Sequence, residues 1–350
     1  MAKDLYYNGN KLINQKDING NKPEIFAVDG NRSDGKTTWF LRYLFRRFEK
    51  HGEKLMIVKR FKNQLPNTEK KIFKLIGPRW FPDSQLTAKK CEQGAYYEMF
   101  FNKKPCGYVV DLNSAYKLKD ISQYFSDTSY MFMDEFQTQD YCPEEVEKFF
   151  TLHFSVARGL DAPTRYVPFF MCCNHVSSLN PYYKQWGCAS EVDNIEKGFW
   201  KGKGIVIEKD MNEGISELQK ASAFNQAFEG SAMYNHAIKN VSLCDNFSFV
   251  EKLKINKFDY ICNCIIDGSY ISLVRVYNVP GVNFYFSDNV NMNCRSNFTV
   301  NSLDHNSDTL LLSKNINFIN GLKNQFDHGY MRFSSLEVKE KAFAFLMIMI

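Results

Sequence analysis

Gly30-Asn31-Arg32-Ser33-Asp34-Gly35-Lys36-Thr37 has the spacing GxxxxGK[ST] and is followed by Thr38. That spacing suits one task. Backbone N–H groups turned inward can cradle a polyphosphate, with glycine where a Cβ would obstruct the turn. A helix opening at Thr37 adds the positive end of its dipole. Lys36 would reach the β- and γ-phosphates, and the Thr37 hydroxyl would ligate Mg2+. The ligands implied are therefore ATP and Mg2+. The pattern is short enough to arise by chance, so its context has to support it.

The second chemical signal is Tyr130-Met131-Phe132-Met133-Asp134-Glu135, four apolar residues ending in two acids. A buried strand that delivers an acid at its C-terminal end puts it where parallel sheets keep their sites. Asp134 would hold the magnesium, directly or through water. Glu135 would orient and polarise an attacking water. Asn174 ends a later apolar run. It reads equally as a polar sensor of the γ-phosphate and as an Asn satisfying its own turn. Arg158 reads first as a cation complementing a helix C-terminus and second as an arginine finger. Lys59, Arg60, Lys62, Lys117 and Lys119 flank predicted strands. Each suits a solvated face better than a nucleotide or nucleic-acid contact.

These residues need a frame to hold them. Residues 24–28 (EIFAV) predict a buried strand, TTWFLRYLFRRFEKHG a helix and KLMIVKRF the next strand. A strand, loop, helix and strand in that order open a parallel α/β sheet. Residues 95–112 predict a hairpin turning at Asn102 to Pro105. Residues 129–136 predict a buried strand, and 143–159 a helix with Pro143 near its start and Gly159 at its end. Residues 166–174 predict a strand that starts after Pro168 or lies at an edge. The Gly- and Lys-rich WKGKGIVIEKD reads as a boundary, and 213–228 as a helical connector. Strands dominate from about 245, with Asp267-Gly268 as a hairpin turn, and LEVKEKAFAFLMIMI closes the chain as a helix.

The expected architecture is an α/β P-loop NTPase core of the ASCE/RecA-like type with a mostly parallel sheet. A smaller β-rich α+β domain follows it. The divisions expected are 1–205 for the nucleotide domain, 206–243 for a connector and 244–350 for the C-terminal domain. A length of 350 residues agrees with about two domains.

Charge is uneven along the chain. Residues 1–110 hold 22 Lys and Arg against 11 Asp and Glu, a net +11; residues 111–240 are net −6 and the remainder neutral. The first third therefore carries a positive field suited to a polyanion. The longest apolar run, Ala342 to Ile350, is too short to span a bilayer. The polar opening MAKDLYYNGNK argues against secretion. Ten cysteines without a CxxC pair suit buried thiols in a reducing compartment. Six scattered His build no catalytic set. Asp267, Asp288, Asp304 and Asp308 read better as loop and turn residues than as a metal nuclease.

In this order the chain resembles the genome-packaging ATPases of small phi-29-like podoviruses, relatives of large terminase motors. The likeness rests on a short polar lead (LYYNGNKL), Arg32 in the third place of the phosphate loop, and strands ending in VKRFK and DEF. It continues with a helix ending in VAR, a strand running into CCNHVSSLNPYY, and HGYMRF near the end. It covers most of residues 1–185 and thinly the C-terminal part. The resemblance implies a ring, thought to be pentameric, at the portal of a procapsid in the host cytoplasm. It implies ATP-driven translocation of double-stranded DNA and a nuclease-like C-terminal domain without catalytic acids. It makes Arg158 a finger acting on the neighbouring subunit and Lys119 a second trans-acting candidate. The insertion GLDAPT after Arg158 leaves Arg165 as a rival. A packaging RNA is a partner of some relatives. Other ring ATPases, such as helicases, and a non-hydrolysing nucleotide-binding scaffold are the alternative functions.

Overall fold

The computed structural model describes residues 6–138, 144–158, 163–177, 180–231, 234–235, 247–266, 268–312 and 316–346. The chain divides into two compact units, Met1–Cys244 and Asp245–Ile350.

Nine strands build one sheet in the first unit. They are β1 (Ile25–Gly30), β2 (Lys54–Lys59), β3 (Leu86–Cys91), β4 (Tyr96–Phe101), β5 (Lys104–Asp111), β6 (Thr128–Asp134), β7 (Phe169–Cys173), β8 (Gly198–Gly202) and β9 (Ile205–Asp210). Their order is β3-β4-β5-β2-β6-β7-β1-β9-β8. From β5 to β9 every neighbouring pair is parallel. An antiparallel hairpin closes one edge, and β8 closes the other. The longer helices are α1 (Lys36–His51), α2 (Thr68–Trp80), α3 (Glu145–Val156) and α4 (Glu213–Lys220) in this unit. The second unit holds α5 (Asn317–Asp327) and α6 (Leu336–Leu346).

Alternation along the strands explains the layering. Phe26, Val28, Leu55, Ile57, Phe132 and Phe170 turn to one face, where α1 buries Phe40, Leu44 and Phe45 against them. Ala27, Met56, Val58, Met131, Met133 and Met171 turn to the other, covered by Phe149, Leu152 and Val156 of α3. Strands apolar on both faces belong inside a parallel sheet. Each buried Val, Leu, Ile, Met or Phe among them contributes roughly 1.5–3 kcal/mol. The predicted hairpin is β4 and β5, turned by Asn102 and Lys103 at φ 49° and 65°. Two successive positive φ values match the right-handed twist of the flanking strands. β7 begins just after Pro168, as expected.

The boundary expected near 205 is corrected by the sheet. WKGKG is the end of β8 and the tight turn Lys203-Gly204 into β9, and β9 is a buried strand paired in register with β1 from Ile25↔Ile205 to Gly30↔Asp210. Gly and Lys there serve a hairpin, so the segment assigned to a connector begins inside the sheet. The single helix expected over 213–228 is α4 plus a short turn of helix, Ala223–Gln226. Pro143, Gly159 and most of the GLDAPT segment lie outside the described residues.

The second unit carries a six-stranded sheet. Its strands are β10 (Phe258–Ile266), β11 (Ser269–Val276), β12 (Phe284–Ser287), β13 (Asn297–Thr299), β14 (Leu310–Leu311) and β15 (Met331–Phe333). The order is β14-β13-β10-β11-β12-β15. β10 and β11 form the expected hairpin, although Asp267 lies outside the described residues. HGYMRF supplies β15. Cys262, Cys264, Leu273, Phe286 and Phe333 pack under α5 and α6. The sequence reading does not anticipate α5, because Gly321 and three Asn obscure the helical spacing of Phe318, Ile319, Leu322 and Phe326. Asp304 accepts from Gly268 N at 2.9 Å, a turn role. Among the described residues no group of three or more His, Cys, Asp or Glu is placed to hold a metal. None of the described helices is long and apolar enough to cross a membrane.

The sheet generates a test of the division. A fragment of residues 1–244 should unfold in one cooperative transition followed by circular dichroism. A fragment of residues 1–204, which leaves β1 unpaired on one side, should show no such transition. A cooperative melt of the shorter fragment would place the boundary back at 205.

Candidate functional site

β6, β7 and β1 lie side by side, so one strand separates the phosphate loop from the acidic strand end. Two glycines make the loop possible. A Cβ on Gly30 would stand 2.6 Å from the carbonyl oxygen of Asp210, an immovable backbone atom. Gly35 sits at φ 95°, a region that disfavours side chains. α1 then starts at Lys36, and Thr37 and Thr38 form its first turn.

Lys36 is buried, with Nζ donating to Asn31 O at 2.5 Å and to Asp34 Oδ2 at 2.9 Å. Burial pushes the Asp34 carboxyl above its ordinary range, and Lys36 offsets part of that. Asn31 is committed to α4: its Nδ2 donates to Ser216 Oγ at 2.6 Å and its Oδ1 accepts from Asn212 N at 3.1 Å. Arg32 and Ser33 are exposed, and Gln219 holds the Arg32 carbonyl at 3.1 Å.

Thr37 Oγ1 donates to Asp134 Oδ1 at 2.9 Å. The same oxygen accepts from Cys172 Sγ of the intervening strand at 3.1 Å. Burial, then the Asp134 charge, pushes the Cys172 thiol far up, so it remains a donor. A hydroxyl and a carboxylate meeting at hydrogen-bond distance are the hard oxygen donors that Mg2+ prefers. The donor set therefore fits the ion.

Glu135 follows directly, exposed and at φ 57°. Arg60 fixes this turn. Its Nη1 donates to Glu135 O at 3.1 Å and its Nη2 to Phe136 O at 2.9 Å. Its Nη2 also pairs with Glu145 Oε1 at 2.8 Å, and both side chains are buried. Tyr182 OH donates to the same carboxylate at 2.9 Å. A role for Arg60 in DNA or trans contacts is therefore corrected: it is an internal brace behind Glu135. Lys59 is half-buried and lines a cleft of about 180 Å³ together with Asp134, Glu135 and Gln64.

Asn174 is the residue after β7, half-buried at the same edge of the sheet. Arg158 is exposed just beyond α3, its guanidinium 5.9 Å from the Phe154 ring centre. Lys119 is exposed on a short helix, Ala115–Asp120, that packs against α3. Arg165, the rival to Arg158 for the finger, is half-buried. Its guanidinium donates to Thr128 O at 2.5 Å, Val156 O at 2.8 Å and Phe125 O at 3.4 Å, tying three stretches of its own unit together.

Three features went unseen in the sequence. One is Cys172, which apolar FFMCCN presents as core. Another is Asp29 with the polar groups around it. A buried acid in the otherwise apolar EIFAVDG was its available signal. The third joins the polar lead to β9: Tyr7 OH donates to Glu208 Oε2 at 2.7 Å, and Tyr7 N donates to Asp34 O at 2.9 Å. Burial pushes the Glu208 carboxyl up to about 7.

A parallel sheet with a strand inserted between the phosphate loop and the acidic strand end defines a P-loop NTPase fold. The profile of the podovirus DNA encapsidation protein (Gp16) family matches residues 1–350, and the chain belongs to that family. It is 24% identical over 350 residues to the DNA packaging proteins of Bacillus phage PZA and Bacillus phage phi29, spanning 98% of this chain and 97% of each relative. With the DNA packaging protein of Bacillus phage B103 it shares 28% identity over 235 residues, 65% of this chain and 67% of that one. In fold it is similar to a chain of the bacteriophage phi-29 viral genome packaging motor assembly. That TM-score is 0.70 at 21% identity, over 99% of this chain and 100% of the other. It is also similar to the phi-28 gp11 DNA packaging motor, with a TM-score of 0.58 at 15% identity over 99% and 98%.

Glu208 gives a pH test. The folded chain keeps that proton up to about pH 7, whereas an unfolded glutamate loses it near 4.5. Between those values the folded state binds more protons, so this group's contribution to stability falls as pH rises. Glu208→Gln removes the effect. Its melting temperature relative to wild type should climb between pH 4.5 and 7, by the equivalent of roughly 2–3 kcal/mol. A pH-independent difference would show that Glu208 titrates normally.

Proposed function

We propose that this chain is the ATP-hydrolysing motor subunit that drives double-stranded phage DNA into a procapsid. Its family works in DNA encapsidation. The observation that carries the enzymatic part is the contact of Thr37 with Asp134 beside buried Lys36. A chain that only bound nucleotide as a scaffold would have no use for Glu135 braced at the end of β6.

In this reading the loop from Gly30 to Thr38 binds the phosphates of ATP, and Lys36 leaves Asp34 to meet them. Thr37 and Asp134 would hold Mg2+, which would supply positive charge against the phosphates. Glu135 orients water and accepts its proton, while Arg60 holds the backbone behind it. Asn174 senses the γ-phosphate end. Lys59, lining the same cleft, adds positive charge there. Arg158 and Lys119, both exposed near α3, act on the site of a neighbouring subunit in a ring. The net +11 of residues 1–110 suits the phosphates of DNA, without reading sequence. The work is done at the procapsid portal in the host cytoplasm.

The test is Glu135→Gln against Lys36→Ala in the full chain. Glu135→Gln should bind ATP with Mg2+ as wild type does and lose turnover by roughly 10²–10⁴-fold, the range for general-base removal. Lys36→Ala should lose binding as well. Wild-type turnover in Glu135→Gln would end the assignment.

Arg158→Ala should keep ATP affinity and lose about 10³–10⁵ in rate. Mixed with Lys36→Ala subunits it should regain part of the activity, because an intact site can use its neighbour's arginine. Absence of rescue at every mixing ratio would place Arg158 in cis or outside catalysis.

A further inference from the structure

The first unit holds another polar assembly that the phosphate loop and Glu135 do not account for. It centres on Asp29, a fully buried residue of β1 that directly precedes Gly30. Its Oδ2 accepts from four side chains on separate stretches of chain. Gln137 Nε2, three residues past Asp134, lies at 3.4 Å, and His175 Nδ1, the neighbour of Asn174, at 2.7 Å. Tyr183 OH lies at 3.2 Å and Lys209 Nζ of β9 at 3.1 Å. An ionised carboxylate only accepts, so His175 carries its proton on Nδ1. The 3.3 Å between Lys209 Nζ and that nitrogen is then an approach of two donors to one acceptor.

Burial works against the charge on Asp29, yet His175 and Lys209 hold the carboxyl well below the usual range. Gln137 passes the connection on: its Oε1 accepts from Val176 N at 3.0 Å and Ser177 N at 3.3 Å, the residues that follow Asn174 and His175. A single carboxylate thus ties the start of the phosphate loop to two other segments. One is the stretch behind Glu135, through Gln137. The other is the stretch behind Asn174, through His175 and Gln137.

Stability alone is a poor reason for this arrangement. Buried ionic groups are often replaceable by apolar ones without loss. Networks of this kind are better at fixing one geometry. The geometry fixed here is that of the segments carrying Glu135 and Asn174 relative to the strand end that leads into Gly30.

We propose that Asp29 is a positioning residue for ATP hydrolysis, setting Asn174 and Glu135 against the phosphate loop through His175 and Gln137. The proposal rests on the ATPase reading above. Asp29 touches neither nucleotide nor water in this scheme, so its loss should act on turnover and spare binding.

The experiment uses the full chain as wild type, Asp29→Asn, Asn174→Ala, the double variant and Tyr183→Phe. Fluorescent-ATP affinity, kcat and melting temperature are measured for each, with kcat taken well below the melting point. Asp29→Asn should keep ATP affinity within about threefold and lower kcat at least about tenfold. The double variant should be no slower than the slower single variant, because both changes remove the same placement. Tyr183→Phe removes one hydroxyl from Oδ2, and should lower kcat about threefold at unchanged affinity. It decides the matter if Asp29→Asn does not fold. A kcat unchanged in Asp29→Asn or in Tyr183→Phe overturns the proposal. So do single effects that multiply, an Asn174→Ala variant with wild-type turnover, or affinity and kcat falling by the same factor. A wild-type chain without any ATP turnover overturns the ATPase reading itself, and this proposal with it.

Discussion

Thr37 and Asp134 are 97 residues apart in sequence, and β7 lies between β6 and the β1 strand that leads into the phosphate loop, yet their oxygens lie 2.9 Å apart. Much of the first unit follows from that distance. The strands from β5 to β9 must be parallel, so that β1 and β6 end at the same edge. β7 must pass between them without blocking the gap, and it does so with a small thiol, Cys172, that donates to the same carboxylate oxygen. On the other side β9 presses its Asp210 carbonyl so close to Gly30 that only glycine fits. The loop is held from two flanks, and α4 closes over it through Asn31 and Arg32.

Charge inside this unit is used mainly to fix backbone. Arg60 spans Glu145 and the carbonyls of Glu135 and Phe136, and Arg165 gathers three carbonyls. Stripping one partner from a buried pair leaves an uncompensated charge, at a cost of roughly 3–5 kcal/mol. Arg60, buried and paired with Glu145, is therefore unavailable to DNA or to a neighbour. Arg158 and Lys119, by contrast, are exposed near α3. This sorting follows from burial and hydrogen bonds, which basic spacing in a sequence does not reveal.

The parts legible in the sequence were those encoded locally. The phosphate loop has a fixed spacing between a strand and a helix. β6 announces itself by four apolar residues and two acids. Asn102-Lys103 turns a hairpin because its own backbone can take positive φ. What escaped was set by long-range pairing. WKGKG looks like a linker until β9 is seen beside β1. Arg60 looks like surface until Glu145 and Tyr182 are seen against it. Asp29 looks like a loop residue, although partners from four stretches of chain converge on its carboxylate. Helix α5 was missed for a local reason, since glycine and asparagine lower helical propensity and only packing against the second sheet restores it.

The account stands on the Thr37–Asp134 pair being a seat for magnesium that ATP shares. Equilibrium binding of ATP to the full chain, in Mg2+ and in EDTA, tests this most directly, with Asp134→Ala measured alongside. The account predicts that Mg2+ tightens ATP binding to the wild type and that Asp134→Ala abolishes the difference between the two conditions. Equal ATP affinity in Mg2+ and EDTA for the wild type, or an undiminished Mg2+ effect in Asp134→Ala, would contradict it.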